Sequence, residues 1–257
     1  MTQITATYID HMGSDLSVVN AARVSFGKRS EWEWSDEEGA TNYTFGQGDG
    51  KIHLKLSDRD TKLIKYLAKH KHISPFGHSF ASFHVKAPVF VARQLVKHKF
   101  LRWNEVSRRY VDDEPEFYKP DVWRGRSADK KQGSSDEVVD MLHWLVVDHE
   151  LSIEGHTQYD SIKARPDEWT SSVNEKALEL YNAMLNSDVC PEQARMVLPT
   201  SMMTEWIWSG SLDAFADMCR LRCKPDTQYE SRLVADQISA EMAKLFPVSW
   251  AALMENE

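Results

Sequence analysis

The sequence has few cysteines, no long hydrophobic run and no excess of positive charge. Its three cysteines are an odd number in a chain of 257 residues, which excludes a disulfide scaffold and favours a reducing compartment. The longest apolar stretches, such as residues 87–92, are far shorter than the roughly 20 residues that a membrane span needs. The formal net charge of -8 argues against a protein that coats nucleic acid or an anionic membrane.

The composition is that of an ordinary globular protein. Apolar residues make up 42% and charged residues 27%, so a largely disordered chain and a collagen are excluded. Residues 1–13 are polar and acidic where a secretory leader would need a basic start and an apolar block. We therefore expect a cytoplasmic protein whose partners include neither membrane nor nucleic acid.

Hydrophobic periodicity predicts an α/β or α+β protein in which helices dominate. Helices are predicted over residues 17–25, 57–68, 88–98, 136–151, 172–185 and 192–197, and beginning at 211 and 225. Strands are predicted near residues 4–10, 79–86 and 200–209. No linker rich in Pro, Gly or Ser divides the chain, so we expect a single domain over residues 1–257, with polar insertions near 31–51 and 124–135.

The densest positive charge lies between residues 93 and 109, where six lysines and arginines surround one acid, Glu105. A basic segment in an acidic protein indicates a site for a small anion rather than a duplex-sized surface. Gln94, Asn104 and Ser107 lie among these cations and could hydrogen-bond a base or a phosphate. A solvated basic face is the alternative.

Two further arginines, Arg195 and Arg222, lie in apolar helical contexts. An arginine on a mostly buried face is costly unless an anion or a hydrogen-bond partner meets it. Together with the basic segment they predict a phosphorylated small molecule, in particular a nucleotide, held by several arginines. Internal salt bridges are an equally open explanation at this point.

Metal binding is not favoured by the residue pattern. His70, His72 and His78 lie close together, but no carboxylate or cysteine stands at ligand spacing beside them. Cys219 and Cys223 have no matching pair elsewhere and are expected to be small buried hydrophobic residues. We predict no metal site.

Five separated blocks, in order and spacing, resemble the flavin-dependent thymidylate synthases. The resemblance covers about residues 21–247, and its most specific block contains Asn104, Glu105, Ser107 and Arg109. The blocks are His72-x-Ser-Pro-Phe-x-His78, Phe90-Val-Ala-Arg-Gln94, Lys97-His-Lys99, Asn104-Glu-x-Ser-x-Arg-Tyr110 and Ala194-Arg-x-Val-Leu-Pro199, followed by Leu221-Arg222.

The resemblance implies both a fold and a reaction. The fold would be a helix-rich single domain with a central mixed or antiparallel sheet, assembled as a homotetramer with active sites between subunits. NADPH would reduce FAD, and 5,10-methylenetetrahydrofolate would donate the carbon that becomes the methyl group of dTMP at C5 of dUMP. The cofactor would carry the difficult chemistry, and the protein would orient and polarise the reactants.

The resemblance also implies roles for individual residues. Arg222 would stabilise negative charge at N3 of the pyrimidine, Ser107 would bind and polarise dUMP without attacking it, and His72 would lie near the flavin. The residues expected to bind dUMP are Gln94, Lys97, Glu105, Ser107, Arg108, Arg109, Arg195 and Arg222. Those expected to bind FAD are Ser25, Ser74, Lys97, His98, Lys99, Asn104, Glu105, Ser211 and Asp217.

The basic segment departs from the family pattern at several positions. Lys97 and Lys99 replace two arginines, which keeps the charge but loses the bidentate fork. Arg102 replaces a usual serine, and Trp103 stands where a small residue is common. We expect these changes to weaken the phosphate and flavin contacts.

Three departures lie elsewhere in the expected flavin site. Gly77 stands where many members have glutamate, and Ser211 and Asp213 stand where an asparagine and an arginine commonly help to hold FAD. An acid near a diphosphate should repel it, so Asp213 puts that contact in doubt. Two alternatives therefore remain: the same fold acting on a related pyrimidine nucleotide or transferring a hydroxymethyl group, and a non-catalytic nucleotide-binding protein that has lost its flavin.

Overall fold

The computed structural model describes residues 3–35, 43–45, 52–111, 113–128, 133–153 and 156–255. The helices are α1 (Asp15–Arg23), α2 (Asp58–Lys69), α3 (Val89–Leu95), α4 (Pro166–Asn186), α5 (Pro191–Ala194), α6 (Leu212–Arg222), α7 (Tyr229–Leu245) and α8 (Pro247–Met254). The strands are β1 (Thr5–Met12), β2 (Glu33–Trp34), β3 (Tyr43–Phe45), β4 (Ile52–Lys55), β5 (Phe80–Pro88), β6 (Leu101–Glu105), β7 (Arg124–Arg126), β8 (Ser134–Val138), β9 (Leu142–Ile153), β10 (His156–Ala164) and β11 (Met203–Ser211).

The chain forms two compact units, which are described separately. The sheet unit comprises residues 4–87, 91–105 and 204–257, and the hairpin unit comprises residues 1–3, 88–90 and 106–203. The mixed α/β architecture that the sequence predicts is confirmed. The single-domain assignment over residues 1–257 stays a prediction.

The main sheet lies in the sheet unit, with strand order β1–β5–β11–β6. Strands β1 and β5 pair antiparallel, as do β11 and β6. Buried aromatic side chains connect this sheet to α6, because Phe215 packs edge-to-face on both Phe83 and Trp208, with ring centroids 5.3 and 5.7 Å apart. Helix α7 packs on β1 and α6, and α8 packs on α2.

Local signals explain why the helices of the sheet unit begin where they do. Ser57 caps α2 by accepting a hydrogen bond from the amide of Asp60 at 3.1 Å, as its position predicts. Helix α8 begins at a proline, and the buried Asp15 accepts from the amides of Val248 and Ser249 at 3.0 and 2.8 Å. A carboxylate from another helix therefore satisfies the free amides at the start of α8.

The hairpin unit corrects the largest error of the sequence reading. The predicted helix over residues 136–151 is wrong, because the segment forms β8 and the long strand β9, which pairs antiparallel with β10. Its apolar residues suit a helical period, but the valines at 138, 139, 146 and 147 are β-branched and favour an extended backbone beside a partner strand.

Smaller corrections concern element boundaries. The predicted loop at 124–135 contains β7 and the start of β8, and the predicted insertion at 31–51 contains β2 and β3, with residues 36–42 and 46–51 outside the described part. Helix α3 begins at Val89 and ends at Leu95, so Pro88 closes β5 instead of opening a helix that runs to residue 98. Helix α4 begins six residues earlier than predicted, at Pro166. Within the described residues, no helix is long and apolar enough to cross a membrane.

Candidate active site

Arg222 stands in the last turn of α6, where the helix dipole favours a cation. Its Nε donates a hydrogen bond of 3.0 Å to Nε2 of His98, which follows α3. Burial of the imidazole and the neighbouring charge of Arg222 lower the pKa of His98 to about 4, against a weaker opposing effect from Asp217. At neutral pH the histidine is therefore uncharged and can accept this hydrogen bond.

The positive charge of Arg222 has no counter-ion among the described residues. Its side chain is partly buried, and this burial alone lowers the pKa of Arg222 below its usual value. The partner that the structure provides is a neutral imidazole, so the salt-bridge explanation does not hold for Arg222 within the described part of the chain. A partly desolvated guanidinium without a carboxylate is suited to bind an anion from outside the chain.

Because the pKa of His98 is lowered, part of the protein's folding stability should be lost in acid. The unfolded histidine takes up a proton near pH 6.5, whereas the folded one does so only near pH 4, so stability present above pH 6.5 is lost as the pH falls toward 4. His98→Gln keeps an acceptor for Arg222 but cannot titrate. We expect urea unfolding at pH 7 and pH 5 to show a smaller loss of stability for His98→Gln than for the unmutated protein. Equal losses would contradict the assignment.

Glu105, at the end of β6, has both carboxylate oxygens engaged. The indole N–H of Trp103 donates to Oε2 at 3.0 Å, and the hydroxyl of Thr204 donates to Oε1 at 2.8 Å. No strand was predicted over residues 101–105, which form a strand paired with β11. The two donors were not predicted from the sequence.

A pocket of about 1080 Å³ opens between the end of α1, the helix α2 and the turn after it. Three predicted flavin residues, Ser25, His72 and Ser74, line it together. No Asp or Glu occurs among its described lining residues, whereas Arg23, Lys28, Arg59 and Lys62 do. Arg23 is held by Asp60, which leaves three cations for a ligand.

The sequence reading missed these pocket cations. Arg59 and Lys62 are three residues apart on α2, so they lie on the same helix face. That spacing was the available signal. The neighbouring ring of Tyr66 also lines the pocket and packs against His70, with ring centroids 4.3 Å apart.

The hairpin unit holds a second group of predicted substrate residues. Nε of Arg109 donates to the Ser107 hydroxyl at 3.2 Å, and its guanidinium lies 3.8 Å from the carboxylate of Glu192. Arg195 is exposed, not mostly buried as its apolar context indicated, and its Nε donates to the backbone carbonyl of Glu192 at 3.4 Å. Glu192, which was not predicted, therefore contacts both Arg109 and Arg195. Arg108 donates to the carbonyl of Asp113.

The remaining predicted residues are placed individually. Gln94 accepts a hydrogen bond from the Ser231 hydroxyl. Asp217 pairs with Arg220, and Ser211 is buried at the start of α6. Lys97, Lys99 and Asn104 are exposed.

The structure therefore gathers the predicted residues into four local groups. These are the pocket, the pair of His98 and Arg222, the carboxylate of Glu105 with its donors, and the hairpin-unit group around Glu192. Within the described residues, no group of three or more His, Cys, Asp or Glu side chains could hold a metal ion.

Residues 7–248 match the family described as thymidylate synthase complementing protein. A flavin-dependent thymidylate synthase from Thermus thermophilus is 33% identical over 248 residues, which is 96% of this chain and 74% of that protein. One from Kosmotoga olearia is 35% identical over 250 residues, covering 96% of this chain and 88% of the relative.

Solved structures agree with this match. The UMP/dUMP methylase PolB from Streptomyces cacaoi, bound with 5-Br dUMP, aligns with a TM-score of 0.68 and 28% identity over 98% of this chain and 94% of its own. The same enzyme bound with 5-Br UMP aligns with a TM-score of 0.69 and 26% identity over 99% and 95%. The chain belongs to the family of flavin-dependent thymidylate synthases.

Proposed function

We propose that this protein converts dUMP to dTMP by reductive methylation at C5. FAD is the proposed cofactor, NADPH the reductant and 5,10-methylenetetrahydrofolate the carbon donor. Family membership supports the reaction, and the pyrimidine nucleotides bound to the Streptomyces enzyme support the substrate class. The observation that carries the proposal is Arg222, a partly buried cation held by a neutral imidazole and without a described counter-ion.

In this reaction Arg222 stabilises the negative charge that develops on the pyrimidine ring. A fixed guanidinium does this best when it is already oriented and partly desolvated, because no reorganisation is then needed during the reaction. His98 provides the orientation through its hydrogen bond to Nε, which leaves the two terminal nitrogens of Arg222 for the nucleotide. Because His98 is neutral at the working pH, it does not compete for the anion.

Arg109 and Arg195 are proposed to bind the phosphate of dUMP, with Arg108 beside them. Arginine suits a phosphate because its planar fork can make two hydrogen bonds. Glu192 contacts both arginines, Arg109 through its carboxylate and Arg195 through its backbone carbonyl, so the two cations lie near one residue. Ser107, which already accepts from Arg109, is assigned to binding and polarising the pyrimidine.

The pocket fits a flavin dinucleotide in size and charge. Its volume of about 1080 Å³ is at the upper end of the range for small-molecule sites. The hydroxyls of Ser25 and Ser74 and the ring of His72 line it, and Lys28, Arg59 and Lys62 offer charge to a diphosphate. When bound, the flavin supplies the hydride, and this chain's residues hold it and exclude water. Lys97, Lys99 and Asn104 are proposed as further contacts.

The side chain of Asp213 does not rule out this assignment. Its Oδ1 is buried without a hydrogen-bond partner in the described part of the chain, and it lies 3.9 Å from the position that a Cβ on Gly77 would occupy. Asp213 therefore packs against Gly77. It is not one of the residues that line the pocket.

Removing the two cations of α2 that line the pocket should weaken flavin binding. Arg59→Ala combined with Lys62→Ala is expected to raise the Kd for FAD about 5- to 10-fold, because each exposed charge contributes about 0.5 to 0.7 kcal/mol. The effect should shrink at high salt, since these side chains are exposed. Titration of apoprotein with FAD, followed by flavin fluorescence, measures it.

The matched control uses the same helix. Lys65→Ala combined with Lys69→Ala removes the same amount of charge from α2, but neither residue lines the pocket. An equal loss of affinity in both double variants would mean that only the net charge of α2 matters, and the pocket assignment would be wrong.

Assembly as a homotetramer with sites between subunits is also proposed. Several large apolar side chains are exposed to solvent in the single chain. Among them are Phe26, Phe100 and Tyr110, which are 78%, 81% and 76% exposed. Burial of such side chains against further copies would be favourable. Light scattering on the purified protein tests the proposal, and a monomeric mass would overturn it.

The proposed function is tested by spectrum and product. The purified protein should take up FAD, and the flavin bands should bleach with NADPH under anaerobic conditions. Addition of dUMP and the folate donor should then yield dTMP, identified by mass spectrometry. No flavin uptake would favour the non-catalytic nucleotide-binding alternative, and flavin reduction without dTMP would favour different chemistry on the same fold.

Methylation of UMP is a second candidate. The related Streptomyces enzyme is described as a UMP/dUMP methylase and was solved with both 5-Br UMP and 5-Br dUMP. The two substrates differ only in the 2′-hydroxyl of the ribose. Competition between equal concentrations of UMP and dUMP in one anaerobic reaction gives their ratio of kcat/KM directly.

A further inference from the structure

We propose that Trp103 and Thr204 are positioning residues that clamp the carboxylate of Glu105 for ligand binding. The inference rests on the proposed function, in which Glu105 contacts the nucleotide and the flavin. It concerns residues that neither the resemblance nor the comparisons assign. Trp103 is also a departure from the family pattern, where a small residue is common at this position.

The register of two strands brings these side chains to one face of the sheet. Strands β6 and β11 pair antiparallel, with Trp103 opposite Trp208 and Glu105 opposite Trp206. Alternate residues on a strand point to the same face, so Thr204 lies on the same face, next to Trp206 along β11. The motif is therefore a strand with one face built from tryptophans and a carboxylate at its end.

The two hydrogen bonds fix the carboxylate without saturating it. Among the described residues, each oxygen of Glu105 accepts one bond, from the indole N–H of Trp103 at 3.0 Å and from the hydroxyl of Thr204 at 2.8 Å. A carboxylate offers about four lone-pair sites. Roughly half of them stay available to donors on a ligand, such as an imide N–H or a ribose hydroxyl.

The donor on Trp103 is itself held rigidly. Its ring stacks on Trp206 with centroids 4.2 Å apart and an interplanar angle of 19°, and it meets Trp208 edge-on at 5.7 Å. Trp206 and Trp208 are each only 1% exposed, so they form a fixed floor beneath the indole. The direction of the indole N–H is therefore set by the core and not by the ligand.

Glu105 needs such support because of where it lies. It is exposed, and β6 stands at one end of the described strand order. A free glutamate at such a site samples several rotamers and must be ordered when a ligand binds. Donors that order it beforehand lower this cost. A hydrogen bond at an exposed rim adds little to folding stability, so the expected effect lies in binding and turnover.

The experiment compares three single variants and their combinations. Trp103→Phe keeps an aromatic ring on Trp206 but removes the N–H, and Thr204→Val keeps the shape but removes the hydroxyl. Each is expected to raise the Kd for dUMP, measured by calorimetry, about 3- to 10-fold. A decrease of the same size is expected in kcat/KM for dTMP formation. In a Glu105→Ala background, both changes should have almost no further effect. Urea unfolding of each variant identifies any loss of folding.

Thr204→Ser supplies the matched control, since it restores the hydroxyl that Thr204→Val lacks. Recovery of most of the lost affinity in Thr204→Ser, with coupling to Glu105, supports the clamp. Equal defects in Thr204→Ser and Thr204→Val, or an undiminished effect of Trp103→Phe in the Glu105→Ala background, would overturn it. The comparison of Thr204→Ser with Thr204→Val tests the clamp even if Glu105→Ala binds no nucleotide.

Failure of the clamp and failure of the proposed function look different. If the unmutated protein binds neither dUMP nor UMP and forms no methylated product, the proposed function falls and the clamp falls with it. If the unmutated protein is active but the variants act independently of Glu105, only the clamp is wrong.

Discussion

Arg222→Ala is expected to lower the rate of dTMP formation about 10³-fold while the flavin stays bound. Loss of one preorganised charge at a developing anion costs rates of this order. Flavin retention is expected because Arg222 does not line the pocket that we assign to FAD. Single-turnover kinetics with FAD-loaded protein would measure the chemical step, and the flavin absorbance of the same sample reports occupancy.

Arg222→Lys separates charge from geometry. Lysine keeps the positive charge but has no Nε to donate to His98 and no planar fork. We expect a rate between those of Arg222→Ala and the unmutated enzyme. A rate in Arg222→Ala equal to that of the unmutated enzyme would refute the role given to this residue, and loss of cooperative unfolding would show that its role is structural.

Local signals in the sequence predict much of the sheet unit. The capping serine before α2 and the alternation in β5 each depend on a few adjacent residues. Strand β9 was misread because its residues satisfy a helical period and a strand propensity equally well, and a single sequence does not reveal the partner strand that decides between them. The antiparallel pairing with β10 decides in favour of the strand.

The candidate site was predictable as a set of residues but not as a set of contacts. The family resemblance identifies Arg222 and His98, yet their hydrogen bond joins positions 124 residues apart in the chain. The clamp on Glu105 depends on residues 101–105 being a strand, since only then do Trp103 and Glu105 point to the same face. No strand was predicted over residues 101–105, so the sequence did not reveal this relation.

Contact between Gly77 and Asp213 gives a physical reason for two departures occurring together. A Cβ at position 77 would lie 3.9 Å from Oδ1 of Asp213. A glutamate at 77, which the resemblance implies for many relatives, would bring a second carboxylate near a buried carboxylate oxygen that has no hydrogen-bond partner among the described residues. With glycine at 77, the acid at 213 is tolerated.

Arg23→Met should destabilise the protein by about 3 kcal/mol, because it breaks a buried ion pair on one side only. Nε of Arg23 donates to Oδ1 of Asp60 at 3.0 Å, and their side chains are 12% and 4% exposed. Burial tends to raise the pKa of Asp60, but hydrogen bonds from Arg23, Ser57 and Ser30 together lower it below the usual value. Without Arg23, the two hydroxyls alone would have to stabilise the carboxylate.

Urea unfolding at several pH values tests both the size of this destabilisation and its direction of change with pH. A lowered aspartate pKa means that the stabilisation is present above the ordinary value of 3.8 and is lost as the pH falls below it, so the difference between Arg23→Met and the unmutated protein should narrow in acid. Asp60→Asn added to Arg23→Met removes the orphaned charge and should recover part of the loss. Lys65→Met, an exposed site on the same helix, should change stability by less than about 0.5 kcal/mol. If Arg23→Met unfolds like Lys65→Met, the ion pair between α1 and α2 contributes nothing to the stability of the fold.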